Sequence, residues 1–172
     1  TFGGALPAGR PVQLWHSRVE RCGMTARAIA EGVTAAGGRA ACGGVLDGLC
    51  GAFVRDFDGV VALTRQFPGG GGSEGFVRRW FDGHFDPAMI DPCHVAAGKL
   101  LSCVARALAA AVPGNLVVLV THDWEIMTLR ETYLGARHDN VGWVDFLDGL
   151  VITRHPQAWQ FRWQDLLSTH PA

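Results

Sequence analysis

Charge is scarce in this chain. Only 18 % of its 172 residues are Asp, Glu, Lys or Arg, and 15 basic against 16 acidic side chains leave a formal charge of -1. A dedicated nucleic-acid binder uses a basic excess to neutralise phosphates, so no nucleic-acid partner is expected. No unbroken apolar run is long enough to cross a bilayer, and the N-terminus lacks the basic and apolar regions of a signal peptide, so no membrane partner is expected. The cysteines, Cys22, Cys42, Cys50, Cys93 and Cys103, are odd in number and form no C-x-x-C pair. That pattern gives poor support to a disulfide framework or a structural zinc site, though it leaves room for one or two disulfides, and the plain expectation is free thiols in a reducing, cytoplasmic setting. The run Gly69-Gly70-Gly71-Gly72 is not followed by the lysine of a phosphate-binding P-loop.

Apolar residues, by contrast, make up 48 %, with six tryptophans and 23 glycines. A chain of this length buries roughly 70 % of its extended surface when it folds, so a sizeable core is expected. Residues 1 to 11 are rich in Gly, Pro and Ala. Val12 to His16 reads as a short strand, and Ser17 is placed to cap the helix that follows, Arg21 to Ala35, with Ala26, Ile29, Ala30 and Val33 on one face. Gly37-Gly38 ends that helix, and residues 40 to 46 suggest a second strand. Residues 47 to 94 read as an irregular insertion, with a short helix at Phe76 to Phe81 whose Phe76, Trp80 and Phe81 turn inward.

A long helix is predicted from Val95 to Val112, stopped by Pro113-Gly114-Asn115. The run Leu116 to Val120 is wholly apolar, as in a buried parallel strand, and Trp124 to Leu134 follows as a helix. Near the C-terminus, Leu150 to Thr153 and Trp159 to Trp163 pair as antiparallel strands, with Trp159, Phe161 and Trp163 alternating with polar residues. The order of elements predicts an α/β fold, a three-layer sandwich with a mostly parallel central sheet.

Ligands of open α/β sheets bind beyond the C-terminal strand ends. Two polar segments fall there: His16 to Cys22 after the first strand, and Thr121-His122-Asp123 after the apolar one. Each precedes a helix N-terminus, which favours an anion. Arg21 offers two parallel donors to phosphate oxygens, His122 a further contact, and Asp123 or Glu125 a proton for a leaving alcohol. Glu74 is an alternative acid. His84 and His94 lie in or near the insertion, and Lys99, Arg130 and Glu131 read as surface or ion-pairing groups, with Trp124 packed on its helix or walling the site. A cysteine phosphatase loop needs C-x5-R, which Cys22 does not begin.

Together the two segments resemble a known family. His16-Ser17-Arg18-Val19-Glu20-Arg21-Cys22-Gly23-Met24-Thr25-Ala26 is similar to the Ser-Pro-Leu-x-Arg-Ala-x-Gln-Thr-Ala segment of the histidine phosphatase, or phosphoglycerate mutase-like, superfamily, with Arg18 for the proline and Met24 for the glutamine. Val118 to Asp123 resembles its second-histidine strand, in the His-Asp form of acid-phosphatase-like members. Asp145 to Val151 resembles the late segment that returns to the sheet. The resemblance implies that Arg21 and Ser17 hold the substrate phosphate, that His122 steadies the transferred phosphoryl group, and that Asp123 is the general acid. It implies no metal and no cofactor, because arginine, histidine and helix N–H groups supply the electrostatics.

The family's first motif, Arg-His-Gly, is absent from this sequence. Its histidine is the nucleophile that becomes phosphorylated. His16 precedes the family serine and does not occupy that place, and Arg137-His138-Asp139 and Arg154-His155-Pro156 come too late. The expectation is therefore the C-terminal portion of a single domain, residues 1–172, lacking its first strand unless another segment supplies it. The complete protein would hydrolyse a small phosphate monoester through a phosphohistidine, while these residues alone would be inactive. A phosphomutase and a non-catalytic phosphate or phosphoprotein binder are the alternatives. Expected partners are the phosphorylated substrate, an upstream fragment, and a second copy through the tryptophan-rich strand.

Overall fold

Alternating apolar positions in Val12–His16 make it the central strand, β1, of a parallel sheet. The computed structural model describes residues 9–70 and 74–172; most of the N-terminal Gly-, Pro- and Ala-rich stretch, and Gly71-Gly72 of the glycine run, lie outside them. The chain forms two compact units. One takes the residues up to Ala52 and Lys99–His122, the other Phe53–Gly98 and Asp123–Ala172. Residues 47 to 94 contribute Phe53, Val60, Phe76, Trp80 and Ile90 to a buried cluster of the second unit.

In the first unit β1 pairs in parallel with β2 (Ala40–Val45) on one side and with β3 (Leu116–Val120) on the other. Helix α1 (Glu20–Ala35) joins β1 to β2, and it buries Ala26 and Val33 against Val12 and Leu14. Its end is the predicted glycine pair: Gly37 has φ of 78°, open to glycine, and the Gly38 N–H donates to the Val33 carbonyl. Gly43 is fixed by close approach. A Cβ there would stand 2.4 Å from the Trp15 indole nitrogen, so the half-bare strand β2 admits only glycine beneath that ring. Leu116–Val120 was expected to be fully buried. It is an edge strand whose five residues are all half-buried, because among the described residues only β1 pairs with it.

The second unit contains α2 (Phe57–Thr64), α3 (Glu74–Phe81), α5 (Asp123–Leu134), the short α6 (His138–Val141) and the start of α4 (Cys93–Ala110), whose later turns belong to the first unit. The supposedly irregular insertion thus holds two helices. Asp56 caps α2 by accepting from the Gly59 N–H at 2.9 Å. Phe76 and Trp80 are buried as predicted, in a cluster with Phe53, Ile90 and Met127. Trp124 packs there too, its ring 5.5 Å from those of Phe76 and Trp80.

Three strands close this unit: β4 (Val151–His155), β5 (Ala158–Trp163) and β6 (Leu166–Pro171), an antiparallel meander in the order β4-β5-β6. The segment Asp145 to Val151 enters this separate sheet and not the parallel one. The strand β6 escaped the sequence reading, since Leu166 and Leu167 are both exposed and leave no alternation to find. Trp159, Phe161 and Trp163 are buried inside the unit, with Phe161 stacked on Tyr133 at 4.2 Å. That face is core rather than a surface offered to a second copy. By length and composition α4 is apolar enough to cross a bilayer, yet its Ala96, Ala97, Leu100, Cys103, Val104 and Ala107 form a buried face at helical spacing.

Candidate functional site

The C-terminal ends of β1 and β3 lie side by side, because His16 pairs with Val120. The residues just beyond them are therefore neighbours, although far apart in sequence. Ser17 extends the pairing, its N–H donating to the Val120 carbonyl at 2.9 Å. Beyond it the chain turns into α1. No side chain caps that helix at Val19, whose own N–H donates to the Ser17 hydroxyl at 3.3 Å. The serine thus stands ahead of the capping position it was expected to fill.

Around His122 three side chains converge. The Ser17 Oγ lies 2.9 Å from Nε2, an Arg21 guanidinium nitrogen 3.1 Å from Nδ1, and the Cys22 sulfur 3.7 Å from Nε2. The Cys22 thiol points its hydrogen to the Thr121 carbonyl at 3.5 Å, tying the first turn of α1 to the end of β3. Ser17 and Cys22 are buried, His122 is half-buried, and Arg21 is exposed. Arg21 makes no ion pair among the described residues. A cation beside an imidazole and an uncapped helix start is suited to an anion. Glu20, in the same first turn, is exposed.

The surrounding loops are pinned. The Leu46 N–H donates to the His16 carbonyl at 2.9 Å, and the Thr121 hydroxyl donates to the Leu49 carbonyl at 2.6 Å. The Asp47 carbonyl accepts from Cys103 and Arg106, while its exposed carboxylate meets Arg18 at 3.1 Å. Such an exposed pair contributes little stability, but the backbone bonds fix the strand ends. His16 donates from Nδ1 to the Ser17 carbonyl at 2.8 Å. Its ring lies over Gly23, where a Cβ would come within 3.1 Å of it.

The candidate acids belong to the second unit. Asp123 opens α5, and both its oxygens accept: Oδ1 from the Trp124 N–H at 3.0 Å and Oδ2 from the Trp143 indole N–H at 2.7 Å. Glu125 is buried in the first turn of that helix, while Glu74, the first residue of α3, is exposed. His84 and His94 are exposed, and Lys99 is exposed with its ammonium donating to the Ala52 carbonyl.

Arg130 departs from expectation. It is fully buried, lies over the Trp163 ring at 4.6 Å and donates once, to the Gly142 carbonyl; burial lowers its pKa. Glu131 does form an ion pair, with Arg78, which also bonds Asp82. The hydrogen bond that Arg78 donates to Glu131 is the main cause of its raised pKa.

The sequence reading dismissed Cys22 after testing it only as a nucleophile. Its place one residue after Arg21, on the helix turn facing β3, was the signal for a supporting role. All five cysteines are free thiols. Among the described residues no group of three or more His, Cys, Asp or Glu side chains could hold a metal ion. Comparison with protein-family models, with curated proteins and with solved structures finds no match.

Proposed function

We propose that the Arg21–His122 cluster is the phosphate-holding part of a phosphomonoester hydrolase of the histidine phosphatase type, whose nucleophilic histidine comes from a segment outside these 172 residues. The observation that carries this reading is the 3.1 Å approach of Arg21 to His122 at the ends of two adjacent parallel strands. The guanidinium and imidazole answer the charge spread over the phosphoryl oxygens during transfer. The external histidine attacks phosphorus, a P–N bond forms, and the P–O bond to the alcohol breaks. An acid, Asp123 in the His-Asp pattern or else Glu125 or Glu74, gives its proton to the leaving oxygen. Water then attacks the phosphohistidine and releases inorganic phosphate.

Two features of the sheet support the wider resemblance. The outer edge of β3, unpaired among the described residues, suits one more parallel strand. The chain also passes from β1 to β2 in one direction and from β2 back across β1 to β3 in the other. Right-handed crossovers in opposite directions put their connections on opposite faces, which supports the three-layer arrangement. Five free thiols suit a reducing compartment such as the cytoplasm.

A non-catalytic phosphate binder is the second reading, favoured by the missing Arg-His-Gly. Hydrolysis of an aryl phosphate, with trapping of acid-labile phosphohistidine, separates the two. Protein extended upstream of Thr1 is expected to turn over and to be labelled, while the 172-residue chain binds phosphate without turnover. If the extended protein binds phosphate but is never labelled, the binder is correct. If His122→Ala and Arg21→Ala leave phosphate binding unchanged, both readings fall.

A further inference from the structure

We infer that Ser17 is a positioning residue and not a phosphate ligand: it holds His122 as the tautomer protonated on Nε2 and turns Nδ1 toward Arg21. This deepens the phosphate reading and rests on it only for the effect on anion binding. The argument begins with Arg21. A guanidinium has donors and no acceptor, so the imidazole nitrogen 3.1 Å away presents its lone pair. Neutral imidazole with an accepting Nδ1 carries its hydrogen on Nε2, and that hydrogen points at the Ser17 oxygen 2.9 Å away.

Ser17 is built for this role and poorly placed for a ligand. It has no exposed surface, and its oxygen also accepts the Val19 N–H. Both flanking peptide groups are fixed: its N–H donates to Val120, and its carbonyl accepts from His16. The hydroxyl is therefore an immobile post with its lone pairs engaged. The Cys22 sulfur is farther from Nδ1, at 3.9 Å, than Arg21 is, and it has the Thr121 carbonyl as an acceptor at 3.5 Å. Nδ1, its lone pair directed at the guanidinium, thereby orients Arg21, whose remaining donors are the ones offered to a phosphate.

The test labels histidine with 15N in the 172-residue chain and reads the His122 tautomer by long-range 15N–1H correlation, with inorganic phosphate titrated in parallel. Resonances are assigned through His122→Gln. The expected result is the Nε2-protonated form in the wild type. Ser17→Ala is expected to give mixed tautomers and about tenfold weaker phosphate binding, with recovery of both in Ser17→Thr, the scale usual when a group that orients a histidine is removed. A wild-type His122 protonated on Nδ1 overturns the inference even if Ser17→Ala fails to fold. So does a folded Ser17→Ala variant that keeps the tautomer and loses phosphate, because Ser17 is then a direct ligand. If the tautomer responds as expected but the wild type binds no phosphate, the positioning role stands and the phosphate reading is lost.

Discussion

Arg21 and Arg78 are the same side chain in opposite circumstances. In the second unit, Arg78 is held by Glu131 of α5, Asp82 in the turn after α3, and Asp139 of the short α6. Its charge is spent on structure. In the first unit Arg21 meets the His122 imidazole and no carboxylate among the described residues, and stands exposed at a helix start. What marks a candidate anion site is thus not the arginine but the lack of a carboxylate beside it. The histidines differ in the same way. His138 is buried between Phe81 and Trp143 with Nδ1 lacking a hydrogen-bond partner, whereas His122 is half-buried and has contacts at both nitrogens.

The contrast breaks most readily by mutation of the two arginines. Arg78→Met leaves Glu131 largely buried without its partner, and chemical denaturation is expected to show a loss of about 3 kcal/mol. Arg21→Ala is expected to change stability by no more than about 0.5 kcal/mol, while calorimetry with inorganic phosphate shows binding weakened by at least about tenfold. Equal stability losses in both variants would erase the distinction.

Smaller effects sharpen it. Gly43→Ala forces a Cβ against the Trp15 indole, with an expected loss of about 2 kcal/mol by thermal or urea unfolding. Trp143→Phe removes the indole donor to Asp123 and is expected to lower stability by about 1 kcal/mol.

Two groups of the second unit respond to pH in opposite directions. The Arg78 hydrogen bond holds the Asp82 carboxyl below its ordinary value. A depressed carboxyl contributes stability above its unfolded pKa, and that contribution fades as pH falls through the lower folded value. Asp82→Asn should therefore flatten the acid limb of the stability profile. In the alkaline direction, burial pushes the Cys93 thiol up to about 11 from 9.0. The folded state then binds more protons than the unfolded one between those values, so its contribution is full below pH 9 and lost as pH rises through 11. Alkylation at mild pH should reach exposed Cys42 well before Cys93, read by mass spectrometry of peptides.

Much of this was legible in the sequence where local rules suffice. The strand Val12–His16, the helix that ends at Gly37-Gly38, and the apolar run Leu116 to Val120 with its following helix all carry period and punctuation of their own. Arg21, His122 and Ser17 were singled out because each sits at a strand-to-helix turn. Arg130 was misjudged because its burial comes from Trp163 and Gly142, which no local pattern connects to it. The helix Phe57–Thr64 and the extent of the aromatic core were hidden for the same reason, although the Phe76 to Phe81 helix was read: Phe53, Phe76 and Trp124 belong to one cluster only after the chain has closed.

The sequence by itself determined which side chains stand at the strand ends, since hydrophobic period and glycine placement act over a few residues. Only the tertiary structure decided that Ser17 faces inward to His122 while Arg21 faces outward. Those directions depend on parallel pairing between strands distant in the chain, and on which lone pairs are already occupied when they meet.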